Sequence, residues 1–126
     1  LEMSSSEMWY YIAGFFDGEG SCHITYCGNG RKGSPKIYPA LRVSLDQKDP
    51  RILRKIRKWL GYGKFTGTLR KSKTHNGVYY KLRFACAQAR RFLNKLLNYS
   101  QCPRRLKQIK KVLTIDKRKV TPKNAI

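Results

Sequence analysis

Two carboxylates that lie two residues apart follow an apolar run near the N-terminus of the chain. Residues 11–16 are aromatic, aliphatic or glycine, and Asp17 and Glu19 then alternate with Gly18 and Gly20. The apolar run predicts a helix, and the C-terminal end of a helix carries partial negative charge. Acids at that end need a counter-ion, and a divalent metal is the natural one. The alternative is an apolar helix that ends at a glycine and has no metal.

Gly14 and Gly18 are four residues apart, so they share one face of this predicted helix. Glycines on a face let another backbone approach closely, at a cost of about 1 kcal/mol per residue in helix propensity. Two apolar rows run along the helix: Trp9, Ile12, Ala13 and Phe16 in the first, and Tyr11, Gly14, Phe15 and Gly18 in the second. A helix that is apolar on nearly all sides is buried on more than one side. We therefore expect the first row to face a sheet and the glycine row to face a partner.

The rest of the chain predicts an α+β fold. The spacing of Ser4 and Glu7 matches a capping box, so the first helix is expected from there to about Asp17. Alternating apolar and polar residues predict strands at 21–27, 37–46, 63–70 and 78–85. Further helices are predicted from Pro50 to the stop at Gly61, over 88–98, and from Pro103 onward.

The predicted order is therefore helix, two strands, helix, two strands and two helices. We expect a four-stranded antiparallel sheet with the helices on one face and the other face open. Asn76 and Gly77 predict the turn of the second hairpin. Residues 1–126 are expected to form a single domain, with a basic tail from about 117 to 126.

The charge of the chain predicts a polyanionic partner. Lys and Arg total 28 against 7 Asp and Glu, a formal net charge of +21. Such an excess on a folded domain repels itself unless a polyanion neutralises it, and nucleic acid is favoured over an anionic membrane. No apolar run approaches the roughly 18 residues of a membrane span, and no secretory signal is visible. We expect a protein that acts inside the cell, in a compartment that contains DNA, and that is not secreted.

The outward positions of the predicted strands are basic, hydroxyl-bearing or aromatic, and acids are nearly absent from them. Such side chains contact phosphates and read base edges in a major groove, whereas an ordinary solvated sheet face mixes in Asp and Glu. The sequence therefore favours double-stranded DNA as the partner of this face. The predicted DNA-binding residues are His23, Thr25, Lys36, Tyr38, Arg42, Ser44, Lys64, Thr66, Thr68, Arg70, Lys71, Lys73, Tyr79, Lys81 and Arg83.

Two other kinds of site are not supported by the sequence. The four cysteines form no Cys-x-x-Cys pair and only two histidines are present, which argues against a zinc site. The glycine-rich loop at 28–35 lacks the Lys-Ser/Thr ending and the following helix of a nucleotide-binding loop. We therefore expect no small-molecule cofactor.

Residues 12–20 resemble the signature of the LAGLIDADG homing endonucleases. Apolar residues stand at the leucine and isoleucine positions of the family name, and Glu19 stands where the name has its second aspartate. The resemblance implies a site-specific endonuclease that hydrolyses double-stranded DNA and leaves 3′ overhangs. The order of strands and helices extends this resemblance over most of the chain.

The resemblance also implies the residues of the active site. It assigns a Mg²⁺ ligand to Glu19 and a second ligand to the backbone carbonyl of Gly18, while Asp17 is expected to serve the packing of the helix end. The family has a polar residue after the second strand and a basic residue near the start of the last helix. Gln47 fits the first position, with Asp46 as a competing neighbour, and Arg104 or Arg105 fits the second.

One signature motif provides one acid site, whereas a duplex has two strands to cut. The resemblance therefore implies a homodimer in which the glycine-faced helices pair and the two sheets join over a long, roughly palindromic target. The residues expected at this interface are Tyr11, Gly14, Phe15, Asp17 and Gly18. Three alternatives stay open: an RNA maturase, a non-cleaving DNA-binding regulator on the same fold, and a basic protein of the ribosomal type.

Overall fold

The computed structural model describes residues 3–28, 36–71, 76–117 and 121–122 of the chain. The α+β class and the predicted order of helices and strands are confirmed, with the addition of one short strand. The elements in chain order are α1 (Ser5–Glu19), β1 (Gly20–Gly28), β2 (Lys36–Gln47), α2 (Pro50–Leu60), β3 (Lys64–Lys71), β4 (Asn76–Ala85), α3 (Ala87–Leu96), α4 (Pro103–Lys117) and β5 (Thr121–Pro122).

The four main strands form one antiparallel sheet in the order β1-β2-β4-β3. Strand β4 therefore lies between β2 and β3, and β1 and β3 are the outer strands of this path. The short β5 pairs with Lys36 and Ile37 of β2. Part of the segment that we expected to be a basic tail thus joins the sheet, while residues 118–120 and 123–126 lie outside the described part of the chain.

The predicted turn at Asn76 and Gly77 is wrong, because both residues belong to β4. Asn76 pairs with Lys71 and Gly77 pairs with Arg70 of β3. Gly77 has a φ of +147°, a conformation that glycine adopts without strain. The pairing of the two strands therefore extends past the Asn-Gly signal, and residues 72–75 between them are outside the described residues.

The helix ends follow the capping signals with small shifts. Ser4 caps α1 by accepting a hydrogen bond from the Glu7 backbone N–H at 3.1 Å, and Asp49 caps α2 through the Arg51 N–H at 2.9 Å. Gly61 ends α2 in the left-handed conformation with a φ of +79°. Helix α1 continues two residues past the predicted end at Asp17, because Gly18 stays helical and the Gly20 N–H bonds to the Phe16 carbonyl.

The core lies between the inner face of the sheet and the helices. Its centre is Phe92 of α3, whose ring lies 6.1 Å from the ring of Phe16 and 4.6 Å from that of Phe84. Burial of each such ring is worth about 1.5–3 kcal/mol, so the motif helix is fixed firmly to the sheet. In the single chain only the first apolar row of α1 is buried, namely Trp9, Ile12, Ala13 and Phe16.

Candidate functional site

Glu19 is the last residue of α1 and directly precedes the first strand. Its side chain is exposed, and it has no side-chain partner among the described residues. Gly20 turns the chain from helix to strand with φ −91° and ψ 163°. A Cβ atom on Gly20 would lie 2.2 Å from the Phe16 ring, so only glycine fits this close approach. The acid is therefore held at a tight helix-to-strand junction and not on a loop.

Asp17 differs from Glu19 because its carboxylate is occupied within the chain. The buried Ser100 hydroxyl donates to Asp17 Oδ1 at 2.7 Å, and the Gln101 backbone N–H lies 3.4 Å from Oδ2. Both donors come from the connection between α3 and α4, and the Asp17 carboxylate ties this connection to the end of α1. Of the two acids in the motif, Glu19 is thus the one that is free to bind a ligand.

Arg105 and Arg104 lie in different surroundings. The Arg105 guanidinium donates from Nε to the Asp17 carbonyl at 3.2 Å and lies 5.3 Å from the centre of the Phe16 ring. The side chain is half-buried against the end of α1, whereas Arg104 is exposed. Helix α4 therefore brings Arg105, and not Arg104, to the end of the motif helix near Glu19.

Gln47 is the last residue of β2, at the end of the sheet where β1 begins. Gly20 pairs with Leu45, so Asp46 and Gln47 extend past the start of β1 in the direction of Glu19. The Gln47 side-chain oxygen accepts a hydrogen bond from the Lys48 backbone N–H at 2.8 Å. The Asp46 carboxylate accepts a hydrogen bond from Ser44 Oγ at 2.5 Å, so the acid that competes with Gln47 for this role is bonded to a residue of its own strand.

The outer face of the sheet is a basic groove. Antiparallel pairing aligns His23 with Arg42, Ser44 with Arg83, and Lys64 with Arg83, so these residues share one face. Asp46 is the one carboxylate among the described residues that line the groove, and Lys81 Nζ lies 4.0 Å from it. The lining residues are Ser21, His23, Thr25, Arg42, Val43, Ser44, Asp46, Lys64, Lys81, Arg83, Phe84, Ala85 and Gln88.

Several predicted DNA-binding residues are placed only by backbone position or not at all. Strand pairing sets Thr66 opposite Lys81 and Thr68 opposite Tyr79, which continues the same face. Lys73 lies outside the described residues. The described part of the chain also excludes the side chains, although not the strand backbone, of Lys36, Tyr38, Thr68, Arg70 and Lys71.

The glycine row of α1 is uncovered in the single chain. A Cβ atom added to Gly14 or Gly18 would meet nothing within 4 Å. Tyr11 is 41% exposed and packs edge-on against Trp59 of α2, with ring centres 5.8 Å apart, and Phe15 is half-buried. The row therefore forms an open face with space for a second backbone.

The described residues offer oxygen ligands for a divalent metal but do not complete a site. No three His, Cys, Asp or Glu side chains cluster within the described part of the chain. The free carboxylate of Glu19 and the carbonyl of Gly18 at the helix end are hard oxygen donors of the kind that Mg²⁺ prefers. Since Mg²⁺ accepts few protein carboxylates and keeps several waters, this donor set fits it.

Sequence reasoning missed the contacts that α4 and the α3–α4 connection make with the segment around the acid. Gln108 Nε2 donates to the Cys22 carbonyl at 3.3 Å, and Ser100 binds Asp17. Both pairs are more than 80 positions apart in the chain, and no spacing rule signals them.

None of the described helices has the length and apolar character that a membrane crossing requires.

The described residues thus place an exposed acid at the end of α1, next to an antiparallel sheet whose open face is basic. The sequence model of the family described as LAGLIDADG endonuclease matches residues 12–115. The chain therefore belongs to the LAGLIDADG endonuclease family, whose members are DNA endonucleases. Comparison with curated protein sequences gives no match.

Solved structures support the same fold. The chain is similar to the group I intron-encoded homing endonuclease I-CeuI complexed with DNA, with a TM-score of 0.66 and 14% identity over 93% of this chain and 56% of that one. It is also similar to the archaeal intron-encoded homing endonuclease I-Vdi141I complexed with DNA, with a TM-score of 0.62 and 20% identity over 86% of this chain and 66% of that one. The LAGLIDADG meganuclease I-CpaMI bound to uncleaved DNA gives a TM-score of 0.58 and 24% identity, covering 88% of this chain and 37% of that one. The chain thus spans less than two thirds of the length of each of these proteins.

Proposed function

We propose that this chain is a homing endonuclease that cuts double-stranded DNA at a specific, long and roughly palindromic site. The observation that carries the proposal is the free carboxylate of Glu19, held at the end of α1 two residues before Ser21 of the basic groove. In this proposal the enzyme acts in a DNA-containing compartment and leaves 3′ overhangs. Members of the family and the DNA complexes of similar proteins support this substrate class.

The groove supplies binding and recognition. Arg42, Lys64, Lys81 and Arg83 provide cations for phosphates and donors for base edges, and Ser44 offers a smaller hydroxyl. Since phosphate contacts position the duplex and base contacts specify it, the same face can serve both purposes. The antiparallel register keeps these side chains on one side of the sheet, away from the core.

Glu19 and the carbonyl of Gly18 would hold Mg²⁺. Such an ion would supply the activation of a nucleophilic water and charge stabilisation at the leaving oxygen. The amide of Gln47 would orient the attacking water through a hydrogen bond. The Arg105 guanidinium has five N–H donors and uses two of them for Asp17 and Gln108. The remaining donors and the positive charge would stabilise the phosphate at the cut.

Two copies of the chain would form the active enzyme. The open glycine face of α1 allows two motif helices to pack closely about a two-fold axis, which brings both Glu19 residues to the centre. Each copy would then cut one strand, and the two sheets would cover the two halves of the target. Tyr11 and Phe15 flank the glycines and would fill the space beside the seam.

The test compares Glu19→Gln with Asp17→Asn, two isosteric changes that each remove one charge. With a duplex library from which the unmodified protein selects and cuts its target, Glu19→Gln should lower cleavage by several orders of magnitude. Duplex affinity should stay unchanged or tighten slightly, because a carboxylate near phosphates is repulsive without metal. Ca²⁺ should support binding but little cleavage, since it is larger and less strict in geometry than Mg²⁺.

Asp17→Asn serves as the matched control. It keeps an acceptor for Ser100 and should reduce cleavage far less than the Glu19 change. Full cleavage by Glu19→Gln, with loss confined to Asp17→Asn, would place the metal on the other acid. An unmodified protein that binds duplex but never cuts it would be a DNA-binding regulator, and stronger binding to folded RNA than to duplex would indicate a maturase.

A further inference from the structure

The segment that carries Glu19 is held by α4 on both sides of the acid. Before it in the chain, the Asp17 carbonyl accepts a hydrogen bond from Arg105 Nε at 3.2 Å. After it, the Cys22 carbonyl accepts from Gln108 Nε2 at 3.3 Å. The two α4 side chains are joined to each other, because Arg105 Nη1 donates to Gln108 Oε1 at 3.0 Å. A single bonded pair of side chains therefore spans the residues around the acid.

Gln108 is the residue that makes this arrangement possible. Arg105 and Gln108 are three positions apart, so they lie next to each other on one face of α4. The amide oxygen of Gln108 orients the guanidinium, and its amide nitrogen fixes the start of β1. An apolar side chain of similar size could fill the same space but would make neither bond.

Helix α4 does not need Gln108 for its attachment to the core. Ile109 is fully buried, and Leu113 is nearly so. Asp116, also buried, forms an ion pair with Arg90 of α3, which raises the pKa of that arginine. These contacts bind α4 to the rest of the fold along its length. Attachment of α4 therefore does not account for Gln108, whose half-buried amide is satisfied by its hydrogen bonds to Arg105 and to the Cys22 carbonyl.

We propose that Gln108 is a positioning residue for cleavage, which sets the place of Glu19 and of the Arg105 guanidinium relative to each other. This inference rests on the proposed function of Glu19 as metal ligand. Gln108 itself touches neither substrate nor metal in this role. Because a misplacement of about 1 Å in a catalytic group can cost on the order of 100-fold in rate, the loss of this bond acts on cleavage and not on DNA binding.

The experiment compares Gln108→Leu with Gln101→Leu. Both glutamines donate from Nε2 to a backbone carbonyl at 3.3 Å, but Gln101 binds Tyr99 in the α3–α4 connection. Gln108→Leu should lower the single-turnover cleavage rate roughly 10- to 100-fold and raise the Mg²⁺ concentration for half-maximal rate. Affinity for the target in Ca²⁺ should be unchanged. Gln101→Leu should match the unmodified protein in all three measurements.

A readout without metal or DNA accompanies the activity assay. Amide hydrogen exchange at residues 18–22 should become faster in Gln108→Leu and stay unchanged in Gln101→Leu, because only the first change frees this junction. Gln108→Glu is a second variant in case the leucine impairs folding. It keeps an acceptor for Arg105 but has no donor for the Cys22 carbonyl, so cleavage should fall while the protein stays folded.

The outcomes separate this inference from the proposed function. If the unmodified protein cuts no duplex, the proposed function fails, and the hydrogen exchange still tests whether Gln108 holds the junction. If the unmodified protein cuts its target and Gln108→Leu does so at the same rate, with the same Mg²⁺ dependence, the positioning role is refuted. Equal cleavage by a folded Gln108→Glu variant refutes it as well.

Discussion

Replacement of Gly14 or Gly18 by alanine is expected to stabilise the single chain and to weaken its self-association. Both glycines lie in α1, and a Cβ atom at either would have no neighbour within 4 Å. Alanine is favoured over glycine inside a helix by about 1 kcal/mol, and here no clash offsets this gain. For a domain of this size, that amounts to a rise of roughly 3–5 °C in the unfolding midpoint.

The opposite effect is expected on the dimer. If two glycine faces form the seam, each alanine inserts two methyl groups between closely packed backbones, and such overpacking typically costs about 1–3 kcal/mol. Thermal unfolding at low protein concentration measures the chain alone, while sedimentation equilibrium over a range of concentrations measures the association. The unfolding midpoint should rise while the association constant falls. The midpoint is measured at low concentration because association makes it depend on concentration.

Gly20→Ala is the control for these two variants. Its Cβ atom would lie 2.2 Å from the Phe16 ring, so this change should lower the midpoint of the single chain whatever its assembly. The reasoning about the seam is refuted if Gly14→Ala and Gly18→Ala leave the association constant unchanged. A monomer at all concentrations, with and without DNA, would refute it for the unmodified protein.

Two further predictions concern the groove and the start of α2. Arg83→Ala should relax specificity at one position of the target and cost roughly 1–3 kcal/mol in affinity. Lys58→Ala, on the outer face of α2, should leave specificity unchanged. A larger effect of Lys58→Ala than of Arg83→Ala on selection from a duplex library would place recognition on α2 and not on the groove. Hydrogen bonds from Arg51 lower the pKa of Asp49 to about 2 from 3.8, so the stabilisation that this cap provides is present above pH 3.8 and is lost as the pH falls toward 2. Urea unfolding between pH 5 and 2 should show a smaller loss for Asp49→Asn than for the unmodified protein, and equal losses would contradict this assignment.

Local sequence signals were enough to predict the elements but not their neighbours. The caps at Ser4 and Asp49 and the stop at Gly61 act within a few residues, so they mark helix ends directly. The Asn-Gly signal at 76–77 failed because pairing with β3 outweighs a local turn preference, which is weak against several ladder hydrogen bonds.

The candidate site shows the same division. The carboxylates and glycines of the motif stand together in the sequence, so the acid end of α1 could be predicted. Which of Arg104 and Arg105 lies against the end of α1 could not be predicted, because this depends on the angular position of α4 against α1 and on side chains far apart in the chain. The roles of Ser100 and Gln108 could not be predicted for the same reason, because the sequence around a single polar residue does not indicate its hydrogen-bond partner.

The alternation of the strands has a consequence for how this protein can evolve. In β2, Leu41, Val43 and Leu45 are buried, while Arg42 and Ser44 between them face the groove. Substitutions of such solvent-facing residues usually change stability by no more than about 0.5 kcal/mol, so mutations can accumulate there without loss of the fold. The position of Glu19 depends instead on buried residues, because the close contact between Gly20 and the Phe16 ring fixes the end of α1. Under the proposed function, a lineage would therefore change its target sequence one substitution at a time and keep the same cleavage site.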